Sequence, residues 1–147
     1  MTAIEYLEQY KEATKLVMRA QEEYNKEMEM IDTIRSPLGG DGMPRSGEIS
    51  KKVEADAIRL EEKARELLAV EIPALRIRQH IVGTIQKVPG PAADVLMERY
   101  VNLTENGRMQ TWRAVAEAVG YSEENVYKLR RKGIAEVEKI LNIKSVQ

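Results

Sequence analysis

The stretch from Ala3 to Arg35 contains neither Gly nor Pro. Gly weakens a helix through its backbone entropy, and Pro through its missing N–H. Across this stretch, positions recur at alternating spacings of three and four: Leu7, Tyr10, Thr14, Val17, Gln21, Tyr24, Met28 and Ile31. Leu7, Thr14, Gln21 and Met28 share one heptad position, and Ala3, Tyr10, Val17, Tyr24 and Ile31 share the other. This is the pattern of a coiled-coil helix, imperfect at the polar Thr14 and Gln21. A helix over the whole stretch is roughly 50 Å long. It cannot bury its own stripe, so it requires a partner helix.

The segment "RSPLGGDGMPRSGEIS", Arg35 to Ser50, follows, with Pro37, Gly39, Gly40, Gly42, Pro44 and Gly47. It predicts a flexible turn over 36–49. It lacks the GxxxxGK[ST] pattern of a phosphate loop and follows a helix, not a strand. A second helix is expected from Ser50 to Val88, with Val53, Ala57, Leu60, Ala64 and Leu67 at coiled-coil spacing. Pro73 interrupts that stripe, which resumes in a shifted register at Leu75, Val82 and Ile85. The two long helices pair within one chain or associate between chains. The sequence leaves both open.

"KVPGPAAD", Lys87 to Asp94, has Pro89 and Pro91 around Gly90. It closes one helix and opens the next. The expected division is a helical, oligomerising region over 1–88 and a small domain over 89–147. The second part has short helices at Ala92 to Asn102, Thr111 to Val119, and Ser122 to about Asn142, with "LTENGRMQ" as a loop. The fold class expected is all-α: long coiled-coil-like helices followed by a helix-turn-helix bundle.

Within that bundle, "AVAEAVGYSEENVYKLRRKG" meets the demands of a helix-turn-helix. Gly120 supplies the turn residue tolerant of positive φ. Ala116, four positions earlier, is the small residue of the first helix. Val115 and Val119 face Val126 and Leu129 across the interface. Thr111 and Ser122 are placed to cap the two helices, their side-chain oxygens accepting N–H groups of the first turn. On the second helix, Ser122, Val126, Leu129 and Gly133 share the core side. Glu124, Tyr127, Lys128 and Arg131 lie opposite, flanked by Asn125, Arg130 and Lys132. From Asn125 to Ala135 there are four basic residues and no acid. Arg and Lys neutralise phosphates, and Arg reads guanine edges bidentately, so this is a face suited to the major groove. Glu123 fits a role at the positive end of the helix dipole. Glu124 fits either that role or acceptance from a cytosine amino group. Tyr127 is suited to a phosphate, to a thymine methyl, or to simple exposure.

The net charge is -1, so any nucleic-acid surface must be local. With no Phe, one Trp and six Tyr, a large globular core is not expected. The absence of Cys removes disulfides and thiolate zinc sites and fits a reducing compartment. No apolar run approaches the ~18 residues of a membrane span, and the first residues lack a signal-peptide pattern. No membrane partner is expected.

"TWRAVAEAVGYSEENVYKLRRKGIAEVEKIL", with the preceding "AADVLMERYVN", resembles the fourth conserved region of bacterial sigma factors. There a Thr-capped helix, a small residue, a Gly turn and a Ser-capped recognition helix occur in this order. The likeness covers about the last third of the chain. The whole layout resembles small phage-encoded regulators of the ArpU and RinA type. It implies a transcription regulator of phage or prophage origin, acting on late or packaging genes in the cytoplasm of a bacterial host. It implies double-stranded DNA as partner, with RNA polymerase as a further one. The DNA-contacting set so implied is Thr111, Arg113, Ser122, Glu124, Asn125, Tyr127, Lys128, Arg130, Arg131 and Lys132. The chain departs from the sigma pattern at Trp112 and Arg113, where acidic or polar residues are usual, and at Glu123–Glu124. Trp112 is read as a core or interface residue, not a base-stacking platform.

His80 is the sole His, and no second ligand accompanies it for a metal. GxSxG, HExxH and Walker patterns are all missing. No catalytic residue, metal or cofactor is expected. Two other functions compete with the regulator: a DNA-packaging component similar to a small terminase subunit, whose helix-turn-helix is usually N-terminal, and a module docking on RNA polymerase. In each, a homo-oligomer through the N-terminal helices, the segment before Pro89, is expected.

Overall fold

The computed structural model describes residues 1–35 and 46–143, with side chains for 1–31 and 51–143. The described chain is all-α, with five helices in order. They are α1 (Ala3–Arg35), α2 (Ser46–Gln86), α3 (Pro91–Leu96), α4 (Trp112–Val119) and α5 (Glu123–Leu141). Of the expected Gly- and Pro-rich connection, residues 36–45 lie outside the described residues. Residues 46–49 belong to α2, which starts earlier than Ser50.

The chain divides into two compact units. In the first, residues 16–73, α1 and α2 run antiparallel. Arg59 Nη2 donates to Glu27 Oε1 at 3.0 Å, and Ala20 and Tyr24 line a cleft with Lys63, Leu67 and Val70. The partner that the α1 stripe requires is therefore α2 of the same chain. Of the expected seam residues, the polar Gln21 and the apolar Met28 are exposed.

The second unit joins residues 1–15 to residue 74 onward. One buried cluster holds Ala3, Tyr6, Leu7 and Tyr10 of α1, and Ile81 and Ile85 of α2. It continues through Val88, Ala92 and Leu96 to Tyr100 and Val137. The expected division near Pro89 falls inside this unit. Pro89 and Gly90 end a helix, but Val88 and Ala92 on either side enter the same core. Leu75, expected on the stripe, is 51% exposed, and Ala74 and Ile81 are buried instead. On α1, Tyr6 and Ala13 are buried although they lie outside the expected seam. A helix packed into a multi-helix core buries a wider face than a two-stranded seam does.

Two local features shape this unit. Tyr6 Oη lies 2.5 Å from His80 Nδ1 and 2.9 Å from Thr84 Oγ1, while Thr84 Oγ1 donates to the His80 carbonyl. These bonds join the Tyr6 hydroxyl of α1 to both His80 and Thr84 of α2. His80 is therefore a tie between α1 and α2 with its ring at the surface. Second, α3 does not continue as an α-helix to Asn102. Met97–Val101 form a π-helical turn, with the Asn102 N–H donating to the Met97 carbonyl at 2.8 Å. A π turn inserts an extra residue and re-aims the side chains after it. Here Tyr100 enters the core and Arg99 donates to the Gln110 carbonyl.

Candidate nucleic-acid interface

The helix-turn-helix is built by local chemistry. Thr111 is extended (φ -64°, ψ 156°), and its hydroxyl oxygen accepts from the Ala114 N–H at 3.2 Å. Helix α4 ends at Gly120, whose φ of 78° is left-handed. The N–H groups of Gly120 and Tyr121 both donate to the Ala116 carbonyl, at 2.9 and 3.2 Å. Ser122 then repeats the Thr111 device, accepting from the Asn125 N–H at 3.3 Å. Each cap stabilises its helix by about 1 kcal/mol. Helix α5 ends with Asn142 at φ 55°, the Ile143 N–H donating to the Glu138 carbonyl at 2.9 Å. This left-handed ending satisfies terminal carbonyls.

Packing fixes α4 and α5 to each other and to α3. Val95, Val115, Ala116 and Val126 form one buried cluster, covered by Trp112, Val119 and Leu129. Further along, Gly133 is where α5 meets α3. A Cβ at Gly133 would lie 2.9 Å from Leu96 Cδ1 and 3.1 Å from its Cγ. The Gly allows this close approach of the two helices.

With Val126 and Gly133 turned inward, Glu124, Asn125, Tyr127, Lys128, Arg131 and Lys132 stand exposed on the other sides of α5. Lys128 lies 3.9 Å from Glu124, one turn back. Such an exposed i,i+4 pair contributes about 0.3–0.5 kcal/mol, so it holds Lys128 only weakly. Arg113 is similarly tethered to Glu117 at 3.6 Å. The two cap residues are exposed as well. Their hydroxyl oxygens accept the cap bonds, which leaves each O–H proton able to donate outward.

Arg130 stands apart from the other cations. It is half-buried, and its guanidinium lies 5.0 Å from the Trp112 ring centroid. Arg99 lies against the same ring at 4.2 Å, and Tyr127 packs on it at 5.3 Å. Burial lowers the Arg99 guanidinium from its ordinary range, and the neighbouring charge of Arg130 adds to that effect while Tyr100 opposes it. Trp112 is thus an interface residue, stacked between the π turn and α5, in keeping with its position at the start of α4. Arg99 does not stand out in the sequence, because the π turn that aims it leaves no residue signature. The acidic Glu123 and Glu124 occupy the first turn of α5, and the next acid is Glu136. The exposed middle of α5 is consequently cationic on a chain of net charge -1.

The chain matches no family model, no curated protein and no solved structure. Among the described residues, no cluster of His, Asp and Glu is suited to hold a metal ion, and no helix is long and apolar enough to cross a membrane.

Proposed function

We propose that this protein is a sequence-specific DNA-binding regulator of transcription, of the phage-encoded kind that its whole layout resembles, with a C-terminal third that resembles the fourth conserved region of sigma factors. Helix α5 enters the major groove from about Glu123. The observation that supports this best is the pairing of a capped, left-handed Gly turn with a recognition helix whose exposed face carries Asn125, Lys128, Arg131 and Lys132. Arg131 and Lys128 contact base edges and Lys132 a phosphate. Thr111, Ser122 and Arg113, at the starts of the two helices, contact the backbone. Arg130 acts differently from the other cations, holding Trp112 and so the angle of α5, with its charge added to the local field. Glu124 tethers Lys128 until DNA is bound.

The test is selection of bound sites from random DNA, followed by binding at several salt concentrations. Affinity for the selected site should fall steeply with salt through counterion release. Arg131→Ala should cost about 1–3 kcal/mol if the side chain reads a base. Unchanged affinity in the Lys128→Ala/Arg131→Ala double variant would remove α5 as the reading helix. Reporter fusions to the selected sites then separate roles. A response supports transcriptional control, and silent sites within a packaging region would replace it with a packaging role.

A further inference from the structure

Helix α2 carries a second stripe. Glu54, Ile58, Glu61, Arg65, Leu68 and Ile72 recur at spacings of four and three in strict alternation. This is again the seam spacing of a coiled coil. It differs from the stripe expected at Val53, Ala57, Leu60, Ala64 and Leu67, of which Leu60, Ala64 and Leu67 are half-buried while Val53 and Ala57 are exposed. Ile58, Leu68 and Ile72 remain 57%, 52% and 48% exposed. Between the apolar residues, Arg65 Nη2 lies 2.7 Å from Glu61 Oε1, and both side chains are well exposed.

We propose that this face of α2 binds the same face of a second copy of the chain, with the two helices antiparallel. The charges choose the orientation. A parallel, in-register pair would set Glu61 against Glu61 and Arg65 against Arg65, which is repulsive. An antiparallel pair with its two-fold axis midway between Glu61 and Arg65 sets Glu61 against Arg65 of the second copy, twice. The same register sets Ile58 against Leu68 on both sides, and the small Ala57 against Ala69. One symmetric contact therefore covers four exposed apolar side chains and forms two reciprocal ion pairs, as a closed two-fold interface requires. Polar residues within an apolar seam fix register and orientation at some cost in strength, so the dimer is a reversible one, not an obligate one. The proposal does not rest on DNA binding and is tested without DNA.

Sedimentation of the full chain from low micromolar to roughly 100 μM should show a monomer–dimer equilibrium. Glu61→Arg and Arg65→Glu should each weaken it by at least about tenfold, since each creates like charges at both ends of the axis. Circular dichroism should show unchanged helix content, because both positions are exposed. An equimolar mixture of the two variants should dimerise again. The first variant carries a cation at both positions and the second an anion at both, so each contact across the axis joins opposite charges. A wild-type monomer throughout would overturn the proposal. So would charge-reversed variants that dimerise as wild type, or a mixture no better than its components.

Discussion

Replacing Gly133 by Ala sets two opposed terms against each other. In a helix interior Ala is favoured over Gly by about 0.8–1.0 kcal/mol, so an open site would make the change stabilising. The site is not open. The new methyl would lie 2.9 Å from Leu96 Cδ1 and 3.1 Å from Cγ. Rotating the end of the Leu moves Cδ1 but not Cγ, and Leu96 is 0% exposed, so it has no solvent to move into. Overpacking a filled core costs about 1–3 kcal/mol. The net expectation is a loss of about 1 kcal/mol, read by denaturant unfolding followed by circular dichroism. The cause is checked by a double-mutant cycle. In a Leu96→Ala background the clash is gone, and Gly133→Ala should become stabilising by about 1 kcal/mol from propensity alone. Additive effects, or a stabilised single variant, would refute the close α3–α5 contact.

Three more outcomes follow from the shared core. A fragment beginning at Pro89 loses Tyr6, Leu7, Ile81 and Ile85 from around Leu96 and Val137, and should show no cooperative thermal transition, whereas in the full chain Leu7→Ala should cost about 2–5 kcal/mol. Burial raises the Tyr6 phenol above the ordinary 10.0, against the opposing Thr84 hydrogen bond. The folded chain then keeps a proton that the unfolded chain releases, so this stability is full below pH 10 and is lost as pH rises through the folded value; Tyr6→Phe should flatten the alkaline fall in denaturation midpoint.

How legible each part is depends on the range of the interactions that set it. Thr111, Gly120 and Ser122 mark the helix-turn-helix in the sequence because capping and left-handed turns are decided within four residues. The inward Val115, Val126 and Gly133 follow from helical spacing. Pro89 and Pro91 signal a helix break, and the break is there, but they do not mark a domain edge. That distinction depends on Tyr6 and Leu7 meeting Leu96, and no local pattern records it. Leu75 and Ala74 exchange places because a Pro leaves the next register ambiguous by a residue. At the site, the exposed face of α5 is readable from the helical wheel. The turning of Arg130 toward Trp112 is not, since it requires Arg99 and the π turn as neighbours.

The core that joins residues 1–15 to the far half of the chain also sets an order of events during synthesis. Leu7 and Val137 belong to one buried cluster but are about 130 positions apart. At roughly 5–20 residues per second, Leu7 waits on the order of ten seconds for Val137 to be made. Residues 16–73 need nothing later in the chain to close their own antiparallel pairing, so they are free to form during that interval. The unit that carries α5 is completed last, when Ile81, Leu96 and Val137 have all arrived around Leu7. A ribosome that stops before Val137 therefore releases a chain in which the start of the first helix, around Leu7, has an incomplete seat, although every residue of that helix is present.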